Sequence, residues 1–294
     1  MPLSAGSVYF GWPNFPDRGI ANSLQFSSFS DKVTVRDSRQ VIHDRITFRE
    51  HDEAYVWGMP SVYRGFIPVD LIRRCMRHGR YINSVTPDAY SAFVTTLSCP
   101  RYVHTARPLF VEGVSAKSNG AAQTILANTD EEKRYLAEND IELHPDTVYC
   151  VAGSFVMTEA FLQARAAFPD MAGDLKPDFQ AMCLQARLES LPTRLPAVLA
   201  ATAAIRKLHS LPPEPRTAAA IELARRRIRS VSRAMSGLRV DGNAYSIRNV
   251  YDASVVAGAI WNYKLGKGHR EGGSLLADRL VKFVSSRLRL TSAA

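Results

Sequence analysis

Ser7-Val8-Tyr9-Phe10-Gly11-Trp12 is the stretch that decides the fold class. In an extended chain successive side chains point to opposite faces, so Val8, Phe10 and Trp12 share one face and Tyr9 takes the other. Apolar residues on both faces ask for cover on both sides, which an α/β sheet supplies. Pro13, Asn14, Pro16, Asp17 and Gly19 then form a loop. Downstream, residues 24–29 are β-prone. Residues 36–48 have helical spacing, with Val41, Ile42 and Ile46 on one stripe. Residues 60–67 read as a strand. Pro68 and Asp70 open a helix through Met76, and Gly79 is placed to end it. Thr86 is the expected cap of the next helix, whose first turn holds Pro87 and Asp88 and which carries Tyr90, Phe93, Val94 and Leu97 inward. Residues 101–105 and 109–114 are strand-like returns.

Beyond residue 115 the pattern changes. Thr129 and Glu132 make a capping box for a helix to about Glu138. From Thr158 onward the chain is rich in Ala, Leu and Arg and broken by prolines. Several short helices are expected, with a longer basic one over residues 217–235. The predicted fold class is therefore α/β: a mixed sheet with flanking helices over residues 1–125, then a mostly helical region over residues 126–294.

Whole-chain properties narrow the function classes. With 294 residues, 46% of them hydrophobic and 22% charged, the chain has the composition of a globular protein with a real core. No apolar run reaches the ~18 to 20 residues of a membrane span. The N-terminus shows no basic segment followed by an apolar stretch, so a cytoplasmic protein is expected, either free or peripheral at the inner face of the membrane. Cys75, Cys99, Cys150 and Cys183 lie far apart, which suits free thiols better than a disulfide framework or a zinc site. The net charge of +9 is concentrated in Arg206, Lys207, Arg216, Arg225, Arg226, Arg227, Arg229, Arg233 and Arg239. Such a run is commonly a solvated helix face; as a binding element it would suit an anionic membrane surface or a phosphate-bearing substrate as well as nucleic acid.

Most catalytic signatures are missing. Gly113-Val114-Ser115-Ala116-Lys117 has a lysine where a nucleophile elbow needs its second glycine. Gly266-Lys267-Gly268 lacks the rest of a phosphate-binding loop. No Asp-x-Asp pair occurs in the chain.

Three segments, in order, carry a resemblance: Tyr9-Phe10-Gly11-Trp12-Pro13, then Pro60-Ser61-Val62-Tyr63-Arg64-Gly65-Phe66-Ile67, then Pro87-Asp88-Ala89-Tyr90-Ser91-Ala92. Arg107-Pro108-Leu109 and Gly113-Val114-Ser115-Ala116-Lys117-Ser118-Asn119-Gly120 follow, with a weaker echo at Asn249-Val250-Tyr251-Asp252-Ala253. This succession resembles the acceptor-side, C-terminal half of bacterial family 2 glycosyltransferases of the GT-A fold. The resemblance implies a partial GT-A-like mixed sheet and inverting transfer of a sugar from a nucleotide-diphosphate donor to a hydroxyl of a glycan or lipid-linked acceptor. It places Asp88 as the base that takes the hydroxyl proton. A helix N-terminus suits that role, because it favours an ionised carboxylate and fixes its direction. The other reading of Asp88 is an ordinary helix-start residue. Ser61 and Tyr63 would line the acceptor groove, or serve packing; Lys117, Ser118 and Asn119 would form a loop over phosphates or acceptor, or an ordinary turn. Where relatives often carry a histidine before Ser-Asn-Gly this chain has Lys117, a poor metal ligand. The family uses Mg²⁺ or Mn²⁺ held by an Asp-x-Asp motif on the donor side, and that donor-binding half is expected to be missing here. A non-catalytic remnant or carbohydrate-binding module, and a basic membrane-surface or nucleic-acid-associated protein, are the alternatives from other classes.

Overall fold

A computed structural model of the chain describes residues 1–11, 21–26, 30–49, 58–115, 129–138, 140–213 and 238–265. The loop 13–19, the Lys117-Ser118-Asn119 segment and the basic stretch 217–235 lie outside the described residues. Strands β1 (Leu3–Gly11), β2 (Ser23–Phe26), β3 (Val33–Asp37), β4 (Gly65–Phe66), β5 (Arg101–Val114) and β6 (Leu238–Asp241) form a six-stranded mixed sheet. Its order is β3-β5-β1-β2-β6, and β4 pairs with β1 off that path. The helices are α1 (Ser38–Ile46), α2 (Val69–Arg74), α3 (Pro87–Leu97), α4 (Thr129–Ala137), α5 (Gly153–Ala167), α6 (Pro169–Ala172), α7 (Phe179–Glu189), α8 (Leu195–Leu208) and α9 (Val250–Lys264). The chain divides into two compact units, one of Met1–Gly6, Lys32–Thr105 and Asn119–Ser232, the other of Ser7–Asp31, Ala106–Ser118 and Arg233–Ala294. No helix among the described residues is long and apolar enough to cross a membrane.

The first unit is built around α3. Its residues from Ala89 to Thr96 are all buried, which their uncharged side chains permit on every face. Phe93 meets Phe161 of α5 edge to face, with ring centroids 5.4 Å apart at 67°. Ile42 and Ile46 of α1 join the same core, as their shared stripe predicts, with Tyr90 and Phe168. Asp37 caps α1 by accepting from the Gln40 N–H. A second cluster, with Phe155, Met182, Cys183, Val198 and Ile205, joins α5, α7 and α8. Burial of each large side chain contributes about 1.5–3 kcal/mol. In this unit β3 runs antiparallel to the start of β5, with Val35 opposite Val103, and Leu3 lies opposite Phe66.

In the second unit β1, β2 and β6 are antiparallel, with Phe10 opposite Leu24 and Leu24 opposite Val240. Val8, Phe10, Leu24, Phe26 and Val240 bury together with Ala253, Val256 and Trp261 of α9. The Asn22 amide donates to Asn243 Oδ1 and to the Ile247 carbonyl, both at 2.9 Å. A Cβ at Gly242 would stand 2.0 Å from Asn22 Oδ1, so a larger residue there would have to displace the Asn22 side chain.

Four local expectations are corrected. The strand expected over 60–67 shrinks to Gly65–Phe66. Pro60 and Pro68 bracket it without N–H donors, and the Ser61 carbonyl is used by a turn to the Arg64 N–H at 3.3 Å. Thr86 occupies the cap position of α3 without a side-chain cap bond, its hydroxyl lying 3.2 Å from Ser84 Oγ instead. The two returns at 101–105 and 109–114 are one continuous strand that passes through Pro108. The stretch of short helices read from Thr158 onward already opens at Gly153, where Glu189 accepts from the Ser154 N–H at 2.7 Å.

Candidate functional site

Pro87 fills the first helical position of α3, where its missing N–H costs nothing, and Asp88 follows it. Asp88 is exposed, and its Oδ1 accepts from the Ala89 N–H at 2.9 Å. That bond fixes the carboxylate, while Oδ2 accepts no hydrogen bond from the described residues. Buried Ser91, one turn on, donates to the Asp88 carbonyl at 3.0 Å and accepts from the Val62 N–H at 3.3 Å. The Ser61–Tyr63 loop is thereby held against the helix start that carries Asp88. Within that loop Ser61 is buried and Tyr63 is 59% exposed. The loop has a backbone anchor as well: the Arg64 carbonyl accepts from the Ala5 N–H at 3.3 Å.

Bonded to the segment before Pro87 is a buried carboxyl that the sequence did not single out. Glu159 of α5 is 3% exposed. Its Oε2 accepts from Ser84 Oγ at 2.6 Å and its Oε1 from Gln163 Nε2 at 2.9 Å. Burial pushes the Glu159 carboxyl up from its usual range, and the Ser84, Gln163 and His144 backbone hydrogen bonds oppose that shift. Ser84 Oγ also accepts from the Thr86 N–H at 3.2 Å, and the Tyr135 hydroxyl of α4 donates to the Val85 carbonyl. The three residues before Pro87 are thus held from α4 and α5. Phe155, Thr158, Glu159 and Leu162 fall on one helical stripe, and all are buried.

Other chemistry-bearing groups are structural. Ser4 Oγ lies 2.9 Å from His104 Nδ1 but donates its only proton to the Gly58 carbonyl at 2.8 Å. His104 must therefore donate to Ser4, so it does not serve as the base that would activate it. Burial pushes the Cys75 and Cys99 thiols up, away from the reactive thiolate. His144 Nδ1 accepts from the Asp146 N–H at 3.2 Å, and burial lowers its basicity. Among the described residues no three His, Cys, Asp or Glu side chains converge to hold a metal ion.

No protein-family model, curated protein or solved structure matches the chain.

Proposed function

We propose that this chain carries the acceptor side of an inverting, family 2-type sugar transfer, with Asp88 as the general base. The observation that supports it is the exposed Asp88 carboxylate, fixed through one oxygen and open at the other, beside the loop that presents Tyr63. In the transfer the acceptor oxygen forms a bond to the anomeric carbon while its proton moves to Asp88 Oδ2. The bond from that carbon to the diphosphate oxygen breaks, and its electron pair leaves with the nucleotide diphosphate. Tyr63 supplies an aromatic face of the kind on which sugar rings pack, and Ser61, being buried, shapes the loop from within.

The test is a titration of the chain with a panel of free glycans and detergent-solubilised lipid-linked glycans, read by calorimetry. Saturable binding of at least one saccharide is expected, weakened about tenfold, or ~1.4 kcal/mol, by Tyr63→Ser. A panel without a binder, or a binder indifferent to Tyr63→Ser, sinks the reading.

A further inference from the structure

Residues 61–80 carry five arginines, Arg64, Arg73, Arg74, Arg77 and Arg80, against the single acid Asp70. The same short stretch exposes large apolar side chains: Val62 at 42%, Tyr63 at 59%, Phe66 at 57% and Val69 at 60%. Helical spacing orders part of this surface. Leu71 and Cys75, four residues apart, are buried, which turns Val69 and Arg73 outward, and Met76 just past the helix is exposed as well. Phe66 projects from β4, whose two residues pair with β1, so its position is set by the sheet.

The arginines differ in what they already hold. Arg77 stacks 3.8 Å over Phe168 and donates to the Ala167 carbonyl, while Arg80 pairs with Asp140. Arg73 pairs with Asp70 at 3.2 Å, both side chains largely in water, a contact that phosphate can replace at little cost. Arg74 is exposed and makes no ion pair among the described residues.

We propose that this surface docks on an anionic lipid bilayer, with Tyr63, Phe66 and Val69 entering the interface and Arg73 and Arg74 meeting lipid phosphates. Aromatic and aliphatic tips beside exposed Arg74 and the water-exposed Arg73–Asp70 pair match the two layers that such an interface offers, an apolar boundary under a sheet of negative charge. Charge complementarity is what selects this occupant: a protein partner would have to supply its own acidic rim around an apolar centre. The inference stands apart from sugar transfer and its test needs no donor or acceptor. Where both hold, the loop that carries Tyr63 brings the Asp88 site to the lipid surface, and the acceptor is a lipid-linked one.

Co-sedimentation of the full chain with phosphatidylcholine vesicles, with and without phosphatidylglycerol, tests it. Binding is expected only to the anionic vesicles and should fall with added salt. Arg73→Gln with Arg74→Gln should weaken it about fivefold per arginine. Tyr63→Ser with Phe66→Ser should weaken it while leaving the thermal melt unchanged; if that pair melts early, Val69→Ser takes its place. Tyr63→Trp should add blue-shifted emission when anionic vesicles are present. The proposal is overturned by no vesicle binding, by binding indifferent to all of these changes, or by binding removed instead by Arg225→Gln, Arg226→Gln and Arg229→Gln. Self-association lost in the Tyr63 and Phe66 variants would likewise overturn it, identifying the patch as a contact between copies.

Discussion

Glu159 Oε2 and Ser84 Oγ stand 2.6 Å apart with both residues almost wholly removed from water. A carboxylate in such a place costs several kcal/mol unless hydrogen bonds replace its hydration. Ser84, Gln163 and the His144 backbone provide them, and burial still dominates, raising the carboxyl above its usual value of 4.5. The pair fastens the segment before Asp88 to a core helix, so the candidate base sits on a rigid support.

The pH dependence of stability follows from the sign of that shift. A folded-state pKa raised above the unfolded one gives a contribution fully present below the unfolded value and lost as pH rises through the folded one. Wild type should therefore lose stability, relative to Glu159→Gln, as pH rises from the ordinary carboxylate range toward neutrality. Calorimetric melts of both proteins between about pH 4 and pH 8 should show the gap shifting steadily in favour of the Gln variant. A gap that stays constant would mean that the Glu159 carboxyl is not buried as described.

Gly65 tests the loop from its backbone side. A Cβ there would lie 2.9 Å from the Leu3 and Ser61 carbonyl oxygens and 3.0 Å from the Ser61 nitrogen. All three atoms are main chain, so no rotamer change relieves the contact. Gly65→Ala should cost about 1–3 kcal/mol and lower the melting temperature by several degrees. It should also weaken saccharide binding, because the displaced residues are those that hold Tyr63 beside Asp88. An alanine variant that melts and binds like wild type would show that the loop does not depend on this close approach.

What the sequence revealed and what it hid divide on physical lines. Val8 and Phe10 were legible as neighbours on one apolar face, because side chains of an extended chain alternate with period two. The start of α3 was legible from Pro87, since proline at a first helical position is a local preference that needs no tertiary partner. β3 was hidden because its valines point the wrong way: Val33 and Val35 are 63% and 58% exposed. β6 was hidden because its burial comes from β2, more than two hundred residues earlier in the chain, through pairs such as Leu24 with Val240, and α9 because it packs in one cluster with Val8, Phe10 and Leu24. The place of Asp88 in the first turn of α3 was legible from helix-start chemistry, whereas the burial of Glu159 depends on Ser84, 75 residues away. Only the folded chain makes a buried carboxylate affordable, so a lone Glu on an apolar stripe passes in sequence for a solvated residue.

The last prediction concerns Asp88 itself. Asp88→Asn keeps the side chain's size, and its amide oxygen can still accept from the Ala89 N–H that holds Oδ1 at 2.9 Å. It replaces the open Oδ2 with an NH₂ group, which cannot take a proton from an attacking hydroxyl. The assay is transfer from a nucleotide sugar to whichever saccharide binds, with the donor-binding part supplied in the same chain or by a separate one. A positioned general base contributes ~10²- to 10⁴-fold to rate, so kcat should fall in that range while acceptor KM and the thermal melt barely move. If Asp88 only starts the helix, the quantities that move are exchanged: turnover stays near normal, and stability drops by at most ~1 kcal/mol through the weaker interaction with the helix N-terminus. The Ser61–Tyr63 loop supplies the control, since Tyr63→Ser removes contact area without touching the proton acceptor. It should raise KM and leave kcat close to wild type. Equal kcat losses in the two variants would mean that the site has been distorted in both, and Asp88 would lose its assignment as base.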